Sequence, residues 1–173
     1  MKTRQTPRKE HKNRDDLTGE HTLGDAGQII LVFLFCTVWI LDTFVFRYTT
    51  FLNHHVSPII RIFLGIMILV PSAILAKRGI SIVFGEKRDT PGVIRKGIFN
   101  LVRHPIYLSE ILLYFGLLIL SISLAAAVVW ILAIGVLHYI SRHEEKLLLE
   151  RFGIEYEQYI KEVPMWIPRL RKK

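Results

Sequence analysis

Four long apolar segments constrain what this chain can fold into. They cover residues 27–46, 58–76, 105–120 and 122–140. A helix needs about 20 apolar residues to cross a hydrocarbon core of about 30 Å, whereas the helices of a soluble protein each present a polar face. The segments therefore predict an all-α integral membrane protein with about four transmembrane helices. The last two are separated only by Ser121 and should form a tight hairpin.

Basic residues are distributed unevenly around these segments. Of the 23 Lys and Arg residues, six precede residue 27, seven lie between Lys77 and Arg103, and eight lie from Arg142 onward, while the turn at Ser121 has none. Positive residues accumulate on the cytosolic side of membrane proteins. We therefore expect both termini and the middle loop to be cytosolic. Attraction to membrane lipids explains the net charge of +8 without any nucleic-acid partner.

The apolar segments divide the chain into three parts. Residues 1–26 are polar and lack an apolar stretch, which predicts a disordered basic cytosolic tail rather than a signal peptide. Residues 27–76 form an N-terminal transmembrane hairpin, and residues 77–173 hold the second hairpin, 105–140, together with the motifs that carry chemistry. The only cysteine is Cys36, so an intrachain disulfide and a cysteine metal site are excluded, and no metal site is predicted.

Clusters of ionisable residues stand on both sides of the second hairpin. Residues 103–105 (Arg-His-Pro) precede it, and residues 142–145 (Arg-His-Glu-Glu) follow it. Ionisable groups near hydrocarbon are costly and tend to mark function. His104 alone could be a helix cap, and the acidic pair alone could be a solvated surface. If the hairpin crosses the membrane twice, however, the two clusters meet on one face, and this favours a ligand site.

Beyond the hairpin the sequence predicts an amphipathic C-terminal helix. Leu148, Phe152, Tyr156 and Tyr159 recur at helical spacing on one face, and Gly153 is expected to break the helix in two. The plain interpretation is a helix lying on the membrane surface.

These pieces form a longer pattern. Residues 96–107 read Lys-Gly-Ile-Phe-Asn-Leu-Val-Arg-His-Pro-Ile-Tyr, residues 144–148 read Glu-Glu-Lys-Leu-Leu, and residues 152–159 read Phe-Gly-x-x-Tyr-x-x-Tyr. Over roughly residues 77–168 the chain resembles the isoprenylcysteine carboxyl methyltransferase family and its phospholipid methyltransferase relatives. The resemblance implies a small membrane methyltransferase that uses S-adenosylmethionine, held in a cytosolic pocket between the middle loop and the C-terminal helix. A lipophilic acceptor would enter from the bilayer, and no obligate protein partner is implied.

The resemblance also implies site residues, carried over position by position. Members that methylate a terminal carboxylate have an Arg four residues before the matched Glu. Here Ile140 occupies that position and Arg142 is the nearest Arg, so Arg142 is the candidate catalytic arginine. The acceptor, an isoprenylcysteine-like carboxylate or a lipid amine, is left open. The implied cofactor contacts are Val93, Ile94, Phe99, His104, Pro105, Ile106, Tyr107, Glu144 and its neighbour Glu145.

The residue types suit this cofactor. A carboxylate such as Glu144 can accept hydrogen bonds from ribose hydroxyls or from the amino group, and it can offset the sulfonium charge. His104 can bond to the amino-acid carboxylate or to adenine, and Phe99 and Tyr107 offer aromatic faces. Pro105 preorganises a helix N-terminus that favours an anion.

Glu110 is the second candidate catalytic residue. It lies about one turn inside the third span, where an acid is costly unless it is paired or faces a cavity, and it shares a helix face with Tyr107 and Tyr114. One interpretation is a structural contact with His138 or Arg142. The other is a role in handling the substrate or in accepting a proton from an amine.

Two other functions are left open by the sequence. Sterol-reductase-like membrane enzymes, which bind NADPH, resemble the same C-terminal pattern, and a non-catalytic membrane binding protein could retain a degenerate pocket. The small four-span core favours a prokaryotic plasma membrane over the endoplasmic reticulum.

Overall fold

A computed structural model describes residues 22–85 and 92–168, and all regular structure within them is helical. Most of the predicted tail, residues 1–26, lies outside the described residues. Single-turn 3-10 helices cover Phe51–His54 and Gly97–Asn100. The main helices are α1 (Thr22–Ile40, continued by a π-helical turn over Leu41–Phe46), α2 (Pro58–Phe84), α3 (Pro105–Ser121), α4 (Leu124–Phe152) and α5 (Ile154–Glu162).

The predicted all-α membrane architecture is confirmed. Helix α1 with its π-helical turn, α2 and α4 are each long and apolar enough to span a membrane, and α3 is an apolar helix of 17 residues. Large apolar side chains such as Phe33 and Ile59 point outward and are 70% and 78% exposed, as expected where lipid replaces water. Helix α3 is the inner element, since it buries Tyr107, Glu110 and Tyr114.

Two helices are longer than the apolar segments predict. Helix α2 continues from Ala76 to Phe84, and α4 continues from Ile140 to Phe152. The fourth span and the first part of the amphipathic segment are therefore one helix. It ends, as predicted, at Gly153, whose φ of +53° belongs to the left-handed region that favours glycine.

Small residues hold α2 against α3. A Cβ on Gly65 would lie 2.5 Å from Leu120 Cδ2, and one on Gly116 would lie 2.6 Å from Leu69 Cδ2. Nearby, Ser72 Oγ donates a 2.7 Å hydrogen bond to the Ser109 carbonyl oxygen. Membrane helices associate through such close backbone approach and interhelical hydrogen bonds. The packing keeps α3 enclosed and fixes which of its faces meets α2.

The two ends of the bundle have different connections. We call the end formed by residues 47–57 and 122–123 the turn end. There, Asp42 accepts hydrogen bonds from the Thr49 amide at 3.0 Å and from the Thr49 and Ser123 hydroxyls at 2.5 Å each. The opposite end is formed by residues 92–104, the last turns of α4 and residues 154–168. We call it the loop end.

Candidate active site

The loop before α3 positions the first cluster at the loop end. The 3-10 turn Gly97–Asn100 leads to His104, which is the residue before the helix, and Pro105 occupies the first turn. Proline fits there because its fixed φ is helical and its missing N–H would be unpaired anyway. His104 and Tyr107 are three residues apart, and their rings stack at 5.5 Å between centroids. Both side chains thereby face α4.

The acidic pair on α4 meets these rings. Tyr107 Oη donates a hydrogen bond to Glu144 Oε1. The His104 ring lies between the two acids, with Nδ1 3.7 Å from Glu144 Oε2 and Nε2 3.2 Å from Glu145 Oε1. The second hairpin therefore brings its two flanking clusters together, although 36 or more residues separate them in sequence.

Arg103 anchors this arrangement, although it was not among the predicted site residues. Its Nε donates to Glu145 Oε1 at 2.7 Å, and its Nη1 donates to the carbonyl oxygens of Ile160, at 3.1 Å, and of Val163. The Arg103 and Glu145 side chains are only 7% and 4% exposed, so each charge depends on the other. The signal in the sequence was a cation directly beside His104 at the start of a span.

The C-terminal segment closes the loop end. The backbone amides of Arg103 and His104 donate to the carbonyl oxygens of Pro164, at 2.9 Å, and Met165, at 3.2 Å. Tyr159 Oη donates to the Phe99 carbonyl oxygen at 2.6 Å. The apolar face predicted for this region exists, but it packs on the loop before α3 rather than simply lying on the membrane surface.

The other predicted cofactor contacts are divided among three places. Ile94, Phe99 and Ile106 pack together against Val83 of α2. Val93 instead packs with the tyrosines of α5, and Pro105 is buried at the start of α3. Of the nine predicted contacts, the structure gathers four polar or aromatic side chains around one point: His104, Tyr107, Glu144 and Glu145.

The two candidate catalytic residues lie apart from each other. Arg142 has a side chain that is 60% exposed, and its Nη1 is 3.6 Å from Glu145 Oε2. Glu110 is buried inside the bundle and accepts a 2.5 Å hydrogen bond from Tyr114 Oη. Its structural partner is thus Tyr114 rather than His138 or Arg142.

The protonation state of His104 follows from its burial. Burial lowers the pKa of His104 below its usual value, although the neighbouring Glu145 carboxylate acts in the opposite direction. A neutral ring that donates from Nε2 to Glu145 leaves Nδ1 as an acceptor facing Glu144 Oε2. A donor such as a ribose hydroxyl or an ammonium group could bridge these two acceptors.

Two buried polar atoms at the loop end make no hydrogen bond. They are Glu145 Oε2, whose ion-pair partner Arg142 Nη1 is 3.6 Å away, and Trp166 Nε1. Trp166 packs on the cluster that contains Tyr107 and lies edge-on to His138 at 5.5 Å between centroids. Buried polar atoms are normally paired by protein, water or ligand. An acidic pair, an imidazole and an unpaired indole N–H fit a cationic ligand that carries hydroxyls, an amine and a carboxylate, as S-adenosylmethionine does.

Comparison with known proteins assigns the chain that carries this site to a family. Residues 53–155, well over half of the chain, match the model of the phospholipid methyltransferase family. The chain belongs to that family. The matched region contains Arg103, His104, Tyr107 and the acidic pair, so the whole polar cluster falls within it.

Two curated relatives are similar over parts of their length. A methanethiol S-methyltransferase of Crocosphaera subtropica is 30% identical over 151 residues, which cover 86% of this chain and 50% of the relative. The cobalt-zinc-cadmium resistance protein CzcN of Cupriavidus metallidurans is 32% identical over 89 residues, which cover 51% of this chain and 40% of the relative. The chain thus spans half or less of these relatives. No solved structure matches it significantly.

Proposed function

We propose that this protein transfers a methyl group from S-adenosylmethionine to a lipophilic acceptor that enters from the bilayer. The observation that carries the proposal is the placement of Glu144. This acid is held by Tyr107, faces His104, and lies at the end of the bundle that the C-terminal segment closes. Membership in a methyltransferase family supports the reaction class.

Different residues would bind the cofactor, orient the binding carboxylate and close the site. S-adenosylmethionine, when bound, supplies a methyl group carried on a sulfonium sulfur. Glu144 would accept hydrogen bonds from it and offset its charge, since its side chain is 13% exposed against 4% for Glu145. Tyr107 fixes the Glu144 carboxylate. Arg103 and Glu145 fasten the C-terminal segment over the loop, which excludes water and aligns the reactants.

Ile140 favours a lipid amine over an isoprenylcysteine-like carboxylate as acceptor. Its side chain fills the space beside α1, because a Cβ on Gly27 would lie 2.8 Å from Ile140 Cδ1 and one on Gly24 would lie 3.6 Å from its Cγ2. The position that holds an arginine in carboxylate-methylating members therefore carries no cation here. The guanidinium of Arg142 lies near Glu145. A carboxylate acceptor would then meet acids without a cation placed to receive it.

The loop end is proposed to face the cytosol of a prokaryotic cell. Arg95, Lys96 and Lys146 are at this end, and Lys77 and Arg78 lie in the last turns of α2, which lead to it. This distribution agrees with the positive-inside rule, and both relatives reported above are bacterial. Single cysteines at positions 54 and 146, in a Cys36→Ala background, provide the check. An impermeant maleimide added to intact cells should label position 54 only; labelling of position 146 would reverse the orientation.

A titration in detergent tests the cofactor. Calorimetry with S-adenosylmethionine, its demethylated product and NADPH should show saturable binding of the first two. His104→Ala and Glu144→Ala should each weaken binding by about tenfold or more, since a hydrogen bond to a charged group contributes about 1.5–3 kcal/mol. Glu150→Ala, an exposed acid on the same helix, is the matched control and should bind as the wild type does.

The same titration separates the alternatives. Binding of NADPH alone would identify a sterol-reductase-like enzyme. Binding of none of the three compounds would favour a non-catalytic membrane protein that has kept the fold of the family.

A further inference from the structure

A groove of about 680 Å³ opens between α1, α2 and α3 on the side of the bundle that faces lipid. Its walls are apolar. They include Ile29 and Phe33 of α1, Ala73 and Ala76 of α2, and Ile106 and Leu113 of α3. Phe33 is 70% exposed, so the groove is accessible from the hydrocarbon region. A molecule with an alkyl chain could enter it without crossing water.

Among the described residues that line the groove, one side chain is ionisable, that of Glu110. Its other polar groups are those of Gln28, Ser72 and Ser109, and both serine hydroxyls already donate to backbone carbonyls, of Ser109 and Ile106 respectively. No Lys, Arg or His is among the residues that line the groove. The chemistry of the site is therefore an apolar channel with a hydrogen-bond-accepting acid in its wall.

The acid lies about one helical turn from the candidate cofactor site. Glu110 follows Tyr107 by three residues of α3, a rise of about 4.5 Å. On α1, Gln28 follows Gly24 by four residues, a rise of about 6 Å, and a Cβ on Gly24 would lie 2.7 Å from Glu144 Oε1. Both helices thus carry a polar groove residue one turn beyond their contact with the Tyr107–Glu144 pair. A head group bound to Glu110 would be adjacent to a cofactor bound at Glu144.

We propose that this groove is the acceptor site and that Glu110 selects an acceptor with an amine head. The alkyl chain lies between α1 and α2, and the amine donates a hydrogen bond to the Glu110 carboxyl group. A fatty carboxylate is excluded because its charge would face Glu110 with no cation in the groove to compensate it. This inference rests on the proposed function for its biological meaning, but the binding site can be tested on its own.

The test measures retention of three probes by native mass spectrometry of protein released from detergent micelles. The probes are dodecylamine, dodecanol and dodecanoate. Wild-type protein should retain one dodecylamine, in preference to the other two. Ala73→Phe fills the groove and should reduce dodecylamine retention at least tenfold. Val70→Phe adds the same ring to an exposed position of α2 that does not line the groove, and it should bind as the wild type does.

Glu110→Gln isolates the role of the acid. The amide nearly preserves the shape of the side chain, so this variant serves even if Ala73→Phe does not fold. It should lose the preference for dodecylamine over dodecanol while its affinity for S-adenosylmethionine stays within twofold. In turnover with dodecylamine as the methyl acceptor, it should lower the rate by a larger factor than it lowers the affinity for S-adenosylmethionine.

The outcomes separate this inference from the proposed function. Equal retention by Ala73→Phe and Val70→Phe, or preferential retention of dodecanoate or dodecanol by the wild type, would overturn the groove as an amine site even if S-adenosylmethionine binds. Conversely, the expected dodecylamine pattern without any binding of S-adenosylmethionine would leave the groove in place and refute the methyltransferase proposal.

Discussion

Both ends of the bundle bury an acid, and they compensate it in different ways. At the turn end, Asp42 is 6% exposed and receives three hydrogen bonds, all from Thr49 and Ser123. At the loop end, Glu145 is 4% exposed, its bonded partners are Arg103 and His104, and its Oε2 atom makes no hydrogen bond. The Asp42 network consists of neutral donors, while the Glu145 network consists of ionisable groups. Buried polar atoms without a hydrogen bond occur at both ends, Thr43 Oγ1 and Arg61 Nε at the turn end and Glu145 Oε2 and Trp166 Nε1 at the loop end.

The difference indicates what each end is for. A buried carboxylate that is saturated by neutral hydroxyls and an amide is fixed, because any rearrangement would leave donors unpaired. A network of buried ionisable partners is costly to maintain, and such groups in a membrane protein mark functional sites. We therefore assign Asp42 to closing the fold and the Glu144–Glu145 pair to binding.

The largest expected effect comes from removing Arg103. Arg103→Ala would leave the Glu145 charge buried without its main partner and would free the carbonyl groups of Ile160 and Val163. Breaking a buried ion pair from one side costs about 3–5 kcal/mol. Thermal unfolding in detergent should show this loss, and limited proteolysis should release the segment after α4.

Arg103→Lys provides the matched control for charge. It keeps the cation but lacks the planar fork that reaches Glu145 and the backbone carbonyls together, so its stability should lie between those of the other two proteins. An Arg103→Ala protein as stable as the wild type would show that the C-terminal segment is held by its tyrosines alone.

A smaller and purely structural effect is expected at the turn end. Asp42→Asn removes the charged acceptor of two hydroxyl groups and should lower the free energy of unfolding by about 1–3 kcal/mol. Asp42 and Gly24 are 18 residues apart on α1, or about 27 Å along a helix. Affinity for S-adenosylmethionine should therefore be unchanged in calorimetry. A matching loss of affinity would mean that the two ends are coupled.

The fold could be predicted because a bilayer fixes helix lengths. The spans, the tight hairpin and the meeting of residues 103–105 with residues 142–145 all follow from the number of apolar residues needed to cross a membrane. Gly153 was also predictable, since a helix that ends there needs a residue that tolerates positive φ. These features depend on local composition.

The structural features that the sequence does not predict depend on packing between distant segments. The charged residues after Ile140 indicate a separate surface helix, whereas in the structure α4 continues through them to Phe152. Ile94, Phe99 and Ile106 match the family pattern but pack against α2. The role of Arg103 depends on the position of the C-terminal segment in the fold, because its guanidinium group donates to the carbonyl oxygens of Ile160 and Val163. The apolar composition of α1 contains no information about which of its residues meets Glu144.

That last contact yields the smallest predicted effect and tests the comparison most directly. A Cβ on Gly24 would lie 2.7 Å from Glu144 Oε1 and 3.0 Å from Tyr107 Oη. Gly24→Ala should therefore displace the Glu144 carboxylate. A displacement that removes about 1 kcal/mol of binding free energy lowers the affinity for S-adenosylmethionine about fivefold. Gly135→Ala, on α4, is the control because a Cβ there would meet nothing within 4 Å. If both variants bind the cofactor as the wild type does, the first turn of α1 does not constrain the site, and the loop end owes its geometry to α3, α4 and the C-terminal segment alone.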